Sequence, residues 1–392
     1  MSSSISSRAW RRAGPRPASD NKKLTTLHID LGQEWRGGQS QALLLLKGLS
    51  AAGDVAELIA PAVSPLVQRA SAAGLSVHPV RGPAIRIRAS IEVARRLRRT
   101  KFDIVHCHDA HALTAAWLAG AHEEARLVAS RRVSYALAQN RLARMRYQSA
   151  HRMVAVSGFV KGRLIESGIP SEKIEVIYDG VEVPPPTSAA LRHAARRQFG
   201  LDTPDDLCLL GSAGYLVSNK GQDVLIQAMP GILAKYPRSV LLLAGDGPCR
   251  SSLERFAAQL GISGAVRFTG ALDDLASFYG ALDVYMNATI HEGLGTALLS
   301  AMAHGVPVVT TASDATPEIV KDGVNGRLVG EREPAAIAAA VLRLLDQWPL
   351  SKGLGTEARN TVEQRFSATS MVERTRSLYR SLCLSAAPAA LR

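Results

Sequence analysis

The segment NATIHEGLGTALLSAMAHGVPVV, residues 287–309, decides the fold class of this chain. A strand ends near Asn287, an acidic residue and two glycines form a loop, a helix begins near Thr296, and Gly305 ends that helix before the next apolar run. Strand, loop, helix and strand in this order are typical of a parallel βαβ unit. The segment therefore predicts an α/β protein.

The residues of the loop in this segment also indicate a ligand-binding site. The backbone N–H groups of Gly295 and Thr296 lie at a helix start and have no partner within the helix, so they can bind a phosphate. The Glu292 carboxylate can accept hydrogen bonds from the hydroxyls of an attached sugar. A sugar diphosphate fits this arrangement.

Short strand-like runs alternate with helical patterns along the whole chain. Seven runs lie in the first half, at 24–31, 55–60, 77–80, 104–106, 126–130, 153–156 and 174–177. Pro184, Pro185 and Pro186 then stiffen the chain and indicate a linker. Six more runs follow, at 207–212, 240–244, 266–269, 284–287, 306–310 and 326–329. The sequence predicts two tandem Rossmann-like domains with open, doubly wound parallel sheets, whose ligands bind in a cleft at the carboxyl ends of the strands.

Two loops of the first domain carry candidate site residues at predicted strand ends. Gly37 and Gly38 follow the first strand and would let the backbone approach a ligand closely; the alternative is that they serve only the geometry of the turn. His106 ends the fourth strand, and His108 and His111 follow it. These histidines could contact substrate, have a structural role or bind a metal ion. Of these three roles we favour contact with the substrate.

In the second domain, Lys220 follows the first strand and precedes a helix predicted over 222–229. Its ammonium group and the helix N-terminus could meet at one phosphate, and the alternative is an ordinary surface lysine. The sequence contains neither a GxGxxG pattern nor a P-loop, so NAD-dependent and P-loop chemistry lose their main support.

The composition excludes several classes of protein. The 392 residues are 46% apolar and 21% charged, which is ordinary for globular proteins and enough for large cores. No apolar run approaches the roughly 18 residues of a membrane span. Residues 1–23 lack the apolar core of a signal peptide, so we interpret them as a basic, flexible tail. Four scattered cysteines indicate free, mostly buried thiols in a reducing cytosol.

The net charge of +13 lies almost entirely in the first half of the chain. Residues 1–184 hold 27 Lys and Arg against 15 Asp and Glu, whereas residues 185–392 hold 20 against 19. One dense basic run comprises Arg86, Arg88, Arg95, Arg96, Arg98, Arg99 and Lys101. Aromatic residues are only 5% and do not interleave with the basic runs, so we expect no nucleic acid partner. An anionic membrane surface or a phosphate-bearing acceptor is favoured, with a solvated helix face as the alternative.

The order of these motifs resembles the family 4 retaining glycosyltransferases of the GT-B fold, over roughly residues 24–380. In that family a Glu contacts the transferred sugar and a second Glu, eight positions later, binds the nucleotide ribose; Glu292 matches the first and Ser300 replaces the second. Tyr215 replaces an Arg that in the family acts with the following Lys, here Lys220, on the diphosphate. His108, or in second place His106, matches the active-site His.

The resemblance implies a complete site. Glu292, His108 and Lys220 would be catalytic, and Gly37 and Gly38 would face the donor phosphates and the acceptor. The other donor-binding residues would be Tyr215, Gly247, Thr269, Gly270, Gly293, Leu294, Gly295, Thr296 and Ser300. We expect no metal site. The implied domains are 24–184 on the acceptor side and 185–369 for the nucleotide sugar, with a terminal helix in 370–392 that crosses back to the first domain.

The expected function is a retaining, metal-independent transfer of a sugar from a UDP-, GDP- or ADP-linked donor to a lipid-linked, polysaccharide or lipopolysaccharide acceptor. The nucleotide sugar is a co-substrate, and no cofactor is expected. We expect a cytoplasmic protein, peripheral on the inner face of the cytoplasmic membrane. Two alternatives remain open: a degenerate glycosyltransferase-like scaffold or partner subunit at the membrane surface, and a sugar-phosphate phosphorylase or phosphatase.

Overall fold

The architecture is described by a computed structural model, which covers residues 23–137, 140–201 and 207–384. Residues 1–22, almost all of the predicted basic tail, lie outside the described residues. Within them the chain forms two open sheets with only parallel strand pairs, each covered by helices. The predicted α/β class with two Rossmann-like sheets is therefore confirmed.

The first sheet has seven strands in the order β3-β2-β1-β4-β5-β6-β7. Its strands are β1 (Thr25–Ile29), β2 (Val55–Pro61), β3 (Ser76–Val80), β4 (Ile104–Cys107), β5 (Arg126–Arg131), β6 (Arg152–Ala155) and β7 (Ile174–Val176). The helices between them are α1 (Gly37–Ala51), α2 (Pro65–Ala72), α3 (Ile85–Arg99), α4 (Ala110–Leu118), α5 (Ala121–Glu124), α6 (Arg141–Gln148) and α7 (Gly158–Glu166). All seven strand predictions hold to within a few residues.

The second sheet has six strands in the order β10-β9-β8-β11-β12-β13. Its strands are β8 (Leu209–Ala213), β9 (Val240–Ala244), β10 (Val266–Gly270), β11 (Val284–Asn287), β12 (Val308–Thr311) and β13 (Arg327–Val329). The helices are α8 (Ala189–Gln198), α9 (Gln222–Leu233), α10 (Arg250–Gln259), α11 (Ala276–Ala281), α12 (Thr296–Ala303), α13 (Thr316–Ile319), α14 (Pro334–Asp346), α15 (Trp348–Arg365) and α16 (Ala368–Leu384).

Burial on both faces explains why the strands appear in the sequence as continuous apolar runs. Every residue of β9 is buried. Leu241 and Leu243 pack with Val224 of α9 and Ile337 of α14, whereas Leu242 packs into the core on the other face. A strand covered by helices on both sides has no solvent face to carry polar residues.

The chain crosses between the sheets at two adjacent segments. The first follows Val181 and contains the three prolines, and the second connects α15 to α16. The Val181 amide donates to the Phe366 carbonyl at 2.9 Å, and the Ala368 amide donates to the Val181 carbonyl at 2.9 Å. Helix α16 then packs against α1, and its Arg376 Nε donates to the buried Asp54 Oδ2 at 2.7 Å. The last helix therefore lies on the first sheet.

None of the four cysteines forms a disulfide, and Cys107 alone is buried while the other three are half-buried. The cysteines are therefore thiols, as predicted, but most of them are less buried than expected. Among the described residues, no helix combines the length and the apolarity that crossing a membrane requires.

Candidate active site

The carboxyl ends of the two sheets face each other, and the loops that follow their strands are in contact. The Ser157 hydroxyl, at the start of α7, donates to the Gly293 carbonyl at 2.7 Å. The amides of Gly158 and Phe159 both donate to the Glu318 carboxylate at 2.8 Å. Glu318 of the second domain thus caps a helix of the first domain, where a carboxylate also favours the positive end of the helix dipole.

The loop between β11 and α12 is shaped by two glycines. A Cβ atom on Gly293 would lie 2.2 Å from the Arg132 carbonyl oxygen, so this contact between the domains excludes any larger residue. Gly295 has a φ of 90°, which favours glycine, and it precedes the first residue of α12, Thr296. The helix begins where the sequence predicted. The N–H groups of its first turn have no partner within the helix, so this helix end could bind an anion.

Lys220 and Glu292 lie together at this helix start. Lys220 ends a short 3₁₀ turn before α9, and its Nζ donates to Glu292 Oε2 in a close ion pair in which each side chain is about one-quarter exposed. The Glu292 amide donates to Asp314 Oδ2 at 3.0 Å, which fixes the loop. A small cavity at this point is lined by Ser212, Ala213, Lys220, Gln222, Asn287, Thr289, Glu292, Gly295, Ala297 and Leu298.

The glycine loop of the first domain covers this region from the opposite side. A Cβ atom on Gly37 would lie 3.3 Å from Thr296 Oγ1, and one on Gly38 would lie 3.9 Å from Arg132 Cδ. The Arg36 guanidinium carbon lies 4.6 Å from the ring centroid of Tyr215, which is 40% exposed. An arginine of the first domain therefore stacks on the tyrosine that replaces the family's arginine.

A buried carboxylate supports the glycine loop. Asp30 Oδ1 accepts hydrogen bonds from Gln39 Nε2 at 3.0 Å and from the Gly32 amide at 2.9 Å. Burial, and next the nearby Asp109 carboxylate, raise the pKa of Asp30 to about 6. The link from Asp30 to Gln39 holds the first turn of α1 next to the end of β1.

The remaining predicted donor residues differ in what they can offer. Gly247 follows β9, and Thr269 and Gly270 end β10, which places all three on the far side of β8 from β11 in the sheet order. Leu294 is buried, so it can offer a ligand only its backbone. The Ser300 hydroxyl donates to the Thr296 carbonyl at 3.0 Å, and its proton is therefore used within α12.

The predicted histidine site is a buried cluster, and it includes a third residue that the sequence analysis missed. The rings of His106 and His108 stack with centroids 4.4 Å apart, as expected for residues on one strand face. His28 of β1 pairs in register with His106, and its Nδ1 lies 3.0 Å from His108 Nε2. Burial lowers the pKa of His28 to about 3 and holds the pKa values of His106 and His108 well below the usual range, so all three rings are neutral.

Each ring of this cluster lies within hydrogen-bond distance of neighbouring side chains. His106 Nδ1 lies 2.5 Å from the hydroxyl of Tyr379, which α16 brings into the cluster, and His106 Nε2 lies 2.7 Å from Ser130 Oγ. The three histidines offer nitrogen atoms within 4.8 Å of one another, and neutral imidazoles are good metal ligands. All six ring nitrogens, however, already lie within hydrogen-bond distance of a protein group. His111, in contrast, is exposed at the start of α4.

Arg132, which the sequence analysis did not identify, joins the histidine cluster to a buried carboxylate. Its Nε donates to Asp179 Oδ1 at 3.0 Å, and its Nη1 lies 3.4 Å from both His108 Nδ1 and the His108 carbonyl. Burial raises the pKa of Asp179, although the Arg132 charge opposes this effect. An arginine two residues after the predicted strand 126–130 was the signal available in the sequence, but it lay within a long basic region.

Two family models match the chain in tandem. The model described as Glycosyltransferase Family 4 matches residues 35–183, and the model described as Glycosyl transferases group 1 matches residues 207–347. Together they cover most of both sheets and the loops that form the cleft.

Two curated proteins show the range of similar sequences. A lipopolysaccharide core biosynthesis glycosyltransferase of Rhizobium meliloti (strain 1021) is 35% identical over 173 residues, which are 44% of this chain and 50% of the relative. A GDP-mannose-dependent alpha-(1-6)-phosphatidylinositol monomannoside mannosyltransferase of Mycolicibacterium smegmatis is 33% identical over 219 residues, 52% of this chain and 56% of the relative. The chain thus matches about half the length of these two relatives.

A solved structure establishes the same fold. Anabaena HepE in complex with UDP-glucose superposes with a TM-score of 0.80 at 20% identity, over 91% of this chain and all of that one. The two parallel sheets, the tandem family matches and this superposition lead to one conclusion: the chain belongs to the family 4 glycosyltransferases of the GT-B fold.

Proposed function

We propose that this chain transfers a sugar from a nucleotide-sugar donor to a glycan or glycolipid acceptor, with retention of anomeric configuration and without a metal ion. One observation carries the proposal: the N-terminus of α12 and the Lys220–Glu292 pair meet in one cavity at the carboxyl ends of β8 and β11. A positive helix end and an ammonium group suit a diphosphate, and an adjacent carboxylate suits sugar hydroxyls.

The proposed chemistry uses charge rather than a protein nucleophile. The Gly295 and Thr296 amides and the Lys220 ammonium would stabilise the negative charge that develops on the leaving diphosphate. These groups would do what a bound cation does in metal-dependent transfer. Glu292 would orient the sugar, and the leaving phosphate would accept the proton of the acceptor hydroxyl on the same face of the sugar, which retains the anomeric configuration.

A donor panel tests this function. The purified chain is heated with UDP-, GDP- and ADP-sugars, and a true donor at about 100 times its Kd should stabilise the folded state by about 2.7 kcal/mol. Hits are then assayed for donor hydrolysis, with and without EDTA, and the anomeric configuration of a transferred sugar is read by NMR. No stabilisation by any nucleotide sugar would favour the scaffold alternative. Turnover of a sugar phosphate without a nucleotide would favour the phosphorylase or phosphatase.

We expect Lys220→Ala to weaken donor binding and to slow transfer. The variant removes a positive charge that follows the phosphate from the ground state to the transition state, and a loss of about tenfold in affinity corresponds to about 1.4 kcal/mol. Calorimetry at low salt measures the donor Kd, since screening is weakest there. Lys235→Ala is the matched control, because Lys235 pairs with Asp346 at the surface. Equal donor affinity in Lys220→Ala and wild type would remove Lys220 from the site.

The proposal includes an anionic membrane surface as the place where the acceptor is met, with the chain peripheral on the cytoplasmic side. Support comes from one face of α3, where Ile87, Ile91, Arg95 and Arg98 follow at helical spacing and are all exposed. Ile87 is 59% exposed and Ile91 is 64% exposed. Exposed isoleucines beside arginines suit the boundary between lipid headgroups and acyl chains.

We expect the triple variant Arg95→Glu, Arg98→Glu and Arg99→Glu to bind anionic vesicles more weakly than wild type, with unchanged donor affinity. Each basic side chain near the surface contributes about 1 kcal/mol to binding. Arg96 is left intact because its Nη2 donates to Glu57 Oε2 at 2.6 Å and supports the fold. The control reverses Arg197, Arg238 and Arg255, three exposed arginines of the second half, for the same change in net charge. Equal binding of wild type to neutral and anionic vesicles would reject the membrane surface.

A further inference from the structure

A chain of hydrogen bonds runs from β1 through the histidine cluster to Arg132. Thr26 Oγ1 lies 3.0 Å from His28 Nε2, His28 Nδ1 lies 3.0 Å from His108 Nε2, and His108 Nδ1 lies 3.4 Å from Arg132 Nη1. Each imidazole can carry its proton on either nitrogen, so the positions of the hydrogens have to be assigned from the partners at the two ends.

While Arg132 keeps its contact with His108, it allows the hydrogen bonds of this chain to be donated in only one direction. A guanidinium has only donors, so His108 Nδ1 must be the acceptor and the His108 proton lies on Nε2. That proton is donated to His28 Nδ1, which places the His28 proton on Nε2. The Thr26 oxygen must then accept it.

The Thr26 end independently gives the same direction. The Thr26 hydroxyl donates its single proton to the Val55 carbonyl at 3.0 Å, so its oxygen can only accept from His28. The rings are neutral, with one proton each, because they are buried: His28 is 0% exposed and His108 is 5% exposed.

We propose that Thr26 and His28 are positioning residues that hold His108 in its Nε2–H tautomer, with the Nδ1 lone pair directed to Arg132 and the cleft. His108 can then act only as a hydrogen-bond acceptor at that atom, for the guanidinium or for a substrate hydroxyl that displaces it. The assignment of the tautomer stands on geometry, and its effect on transfer rests on the proposed function.

Matched variants separate positioning from simple support of the core. Thr26→Val removes the acceptor at nearly constant volume, whereas Thr26→Ser keeps the hydroxyl. His28→Leu removes the partner of His108 Nε2, whereas His28→Asn keeps an acceptor close to the position of Nδ1. Thermal unfolding of all four shows which variants are folded.

The direct readout is NMR of the intact chain with ¹⁵N-labelled histidine, in which His108→Gln identifies the His108 signals. We expect the wild type to show His108 protonated at Nε2 and unprotonated at Nδ1, unchanged between pH 5 and 8. Thr26→Val leaves the His28 Nε2 proton without its acceptor, which favours His28 protonated at Nδ1 and so opposes the direction that Arg132 favours at His108. Thr26→Val should therefore produce a mixture of His108 tautomers, and Thr26→Ser should not. Three results would overturn the proposal: wild-type His108 protonated at Nδ1, an unchanged spectrum in a folded Thr26→Val, or a stoichiometric metal ion that elemental analysis detects in the wild type and not in His28→Leu. If Thr26→Val does not fold, the wild-type spectrum and the comparison of His28→Leu with His28→Asn test the proposal instead.

The kinetic readout is kcat with saturating donor. We expect Thr26→Val and His28→Leu to lower kcat about tenfold, as the loss of an orienting partner commonly does, with little change in donor KM. Thr26→Ser and His28→Asn should keep most of the wild-type kcat. A wild type without transfer activity would contradict the proposed function but leave the tautomer result intact, so the two failures are distinguishable.

Discussion

Replacing Glu292 with Gln should reduce sugar transfer by about 100- to 1,000-fold, the usual effect of removing a polar group that stabilises a transition state. Gln has nearly the same size as Glu and can still contact Lys220, so the fold should survive. The missing property is the negative charge, which balances the Lys220 ammonium in the free protein and, in the proposed function, would orient the sugar hydroxyls. The measurement is kcat at saturating donor and acceptor, with the melting temperature as a check on folding.

The control for this variant is Glu254→Gln, which neutralises a surface carboxylate paired with Arg250 on α10. It should transfer sugar at the wild-type rate. If Glu292→Gln keeps near-normal turnover, then Glu292 does not contact the reacting sugar and the site lies elsewhere in the cleft. A large loss of melting temperature in Glu292→Gln would instead show that Glu292 stabilises the fold of the loop between β11 and α12.

Replacing Arg132 with Met should lower the free energy of unfolding by about 3 kcal/mol, because it leaves a buried carboxylate without its partner. The side chains of Arg132 and Asp179 are 14% and 8% exposed. Burial raises the pKa of Asp179 even with the Arg132 guanidinium present. Removing the guanidinium should raise the pKa of Asp179 further. Burial disfavours the charged form of Asp179, so the variant should lose little stability below the pKa of Asp179 in the folded wild type. The loss should grow as the pH rises from that value to the higher pKa of Asp179 in the folded variant.

Urea unfolding of Arg132→Met at pH 5 and pH 8 checks the size and the sign of this effect. The double variant Arg132→Met with Asp179→Asn removes the unpaired charge and should recover part of the stability at pH 8. A deficit that is equal at both pH values and equal in the double variant would show that the lost stability comes from packing of the arginine stem rather than from the ion pair.

The strands were predictable because each is a short apolar run that ends in a turn. The Val240–Ala244 strand illustrates this: five apolar residues before a glycine-rich turn leave little alternative once helical patterns flank them. Helix α12 was predictable for a similar local reason, since Gly295 and Gly305 bracket it in the sequence. These signals lie within ten or so residues, and local chemistry decides them.

Part of the site was predictable because parallel α/β sheets place their ligands at the carboxyl ends of strands. Glu292 and Lys220 both follow strands of the second sheet, so the sequence could assign them to one cleft. Their direct contact was not predictable, because they are 72 residues apart and meet only through the pairing of β8 with β11. Tyr215 was predicted as a departure from the family, but the arginine that covers it comes from the other domain.

The sequence by itself determined the two parallel sheets, the loop between β11 and α12, and the start of α12, because short-range patterns of glycine and apolar residues control them. Only the tertiary structure decided which side chains become partners. His28 meets His108 because β1 lies beside β4 in the sheet, although two strands separate them in the chain. Arg132 meets Asp179 and His108 by the same kind of long-range packing. Strand order and domain contact depend on how whole layers bury their surfaces, and no local spacing in the sequence encodes that choice.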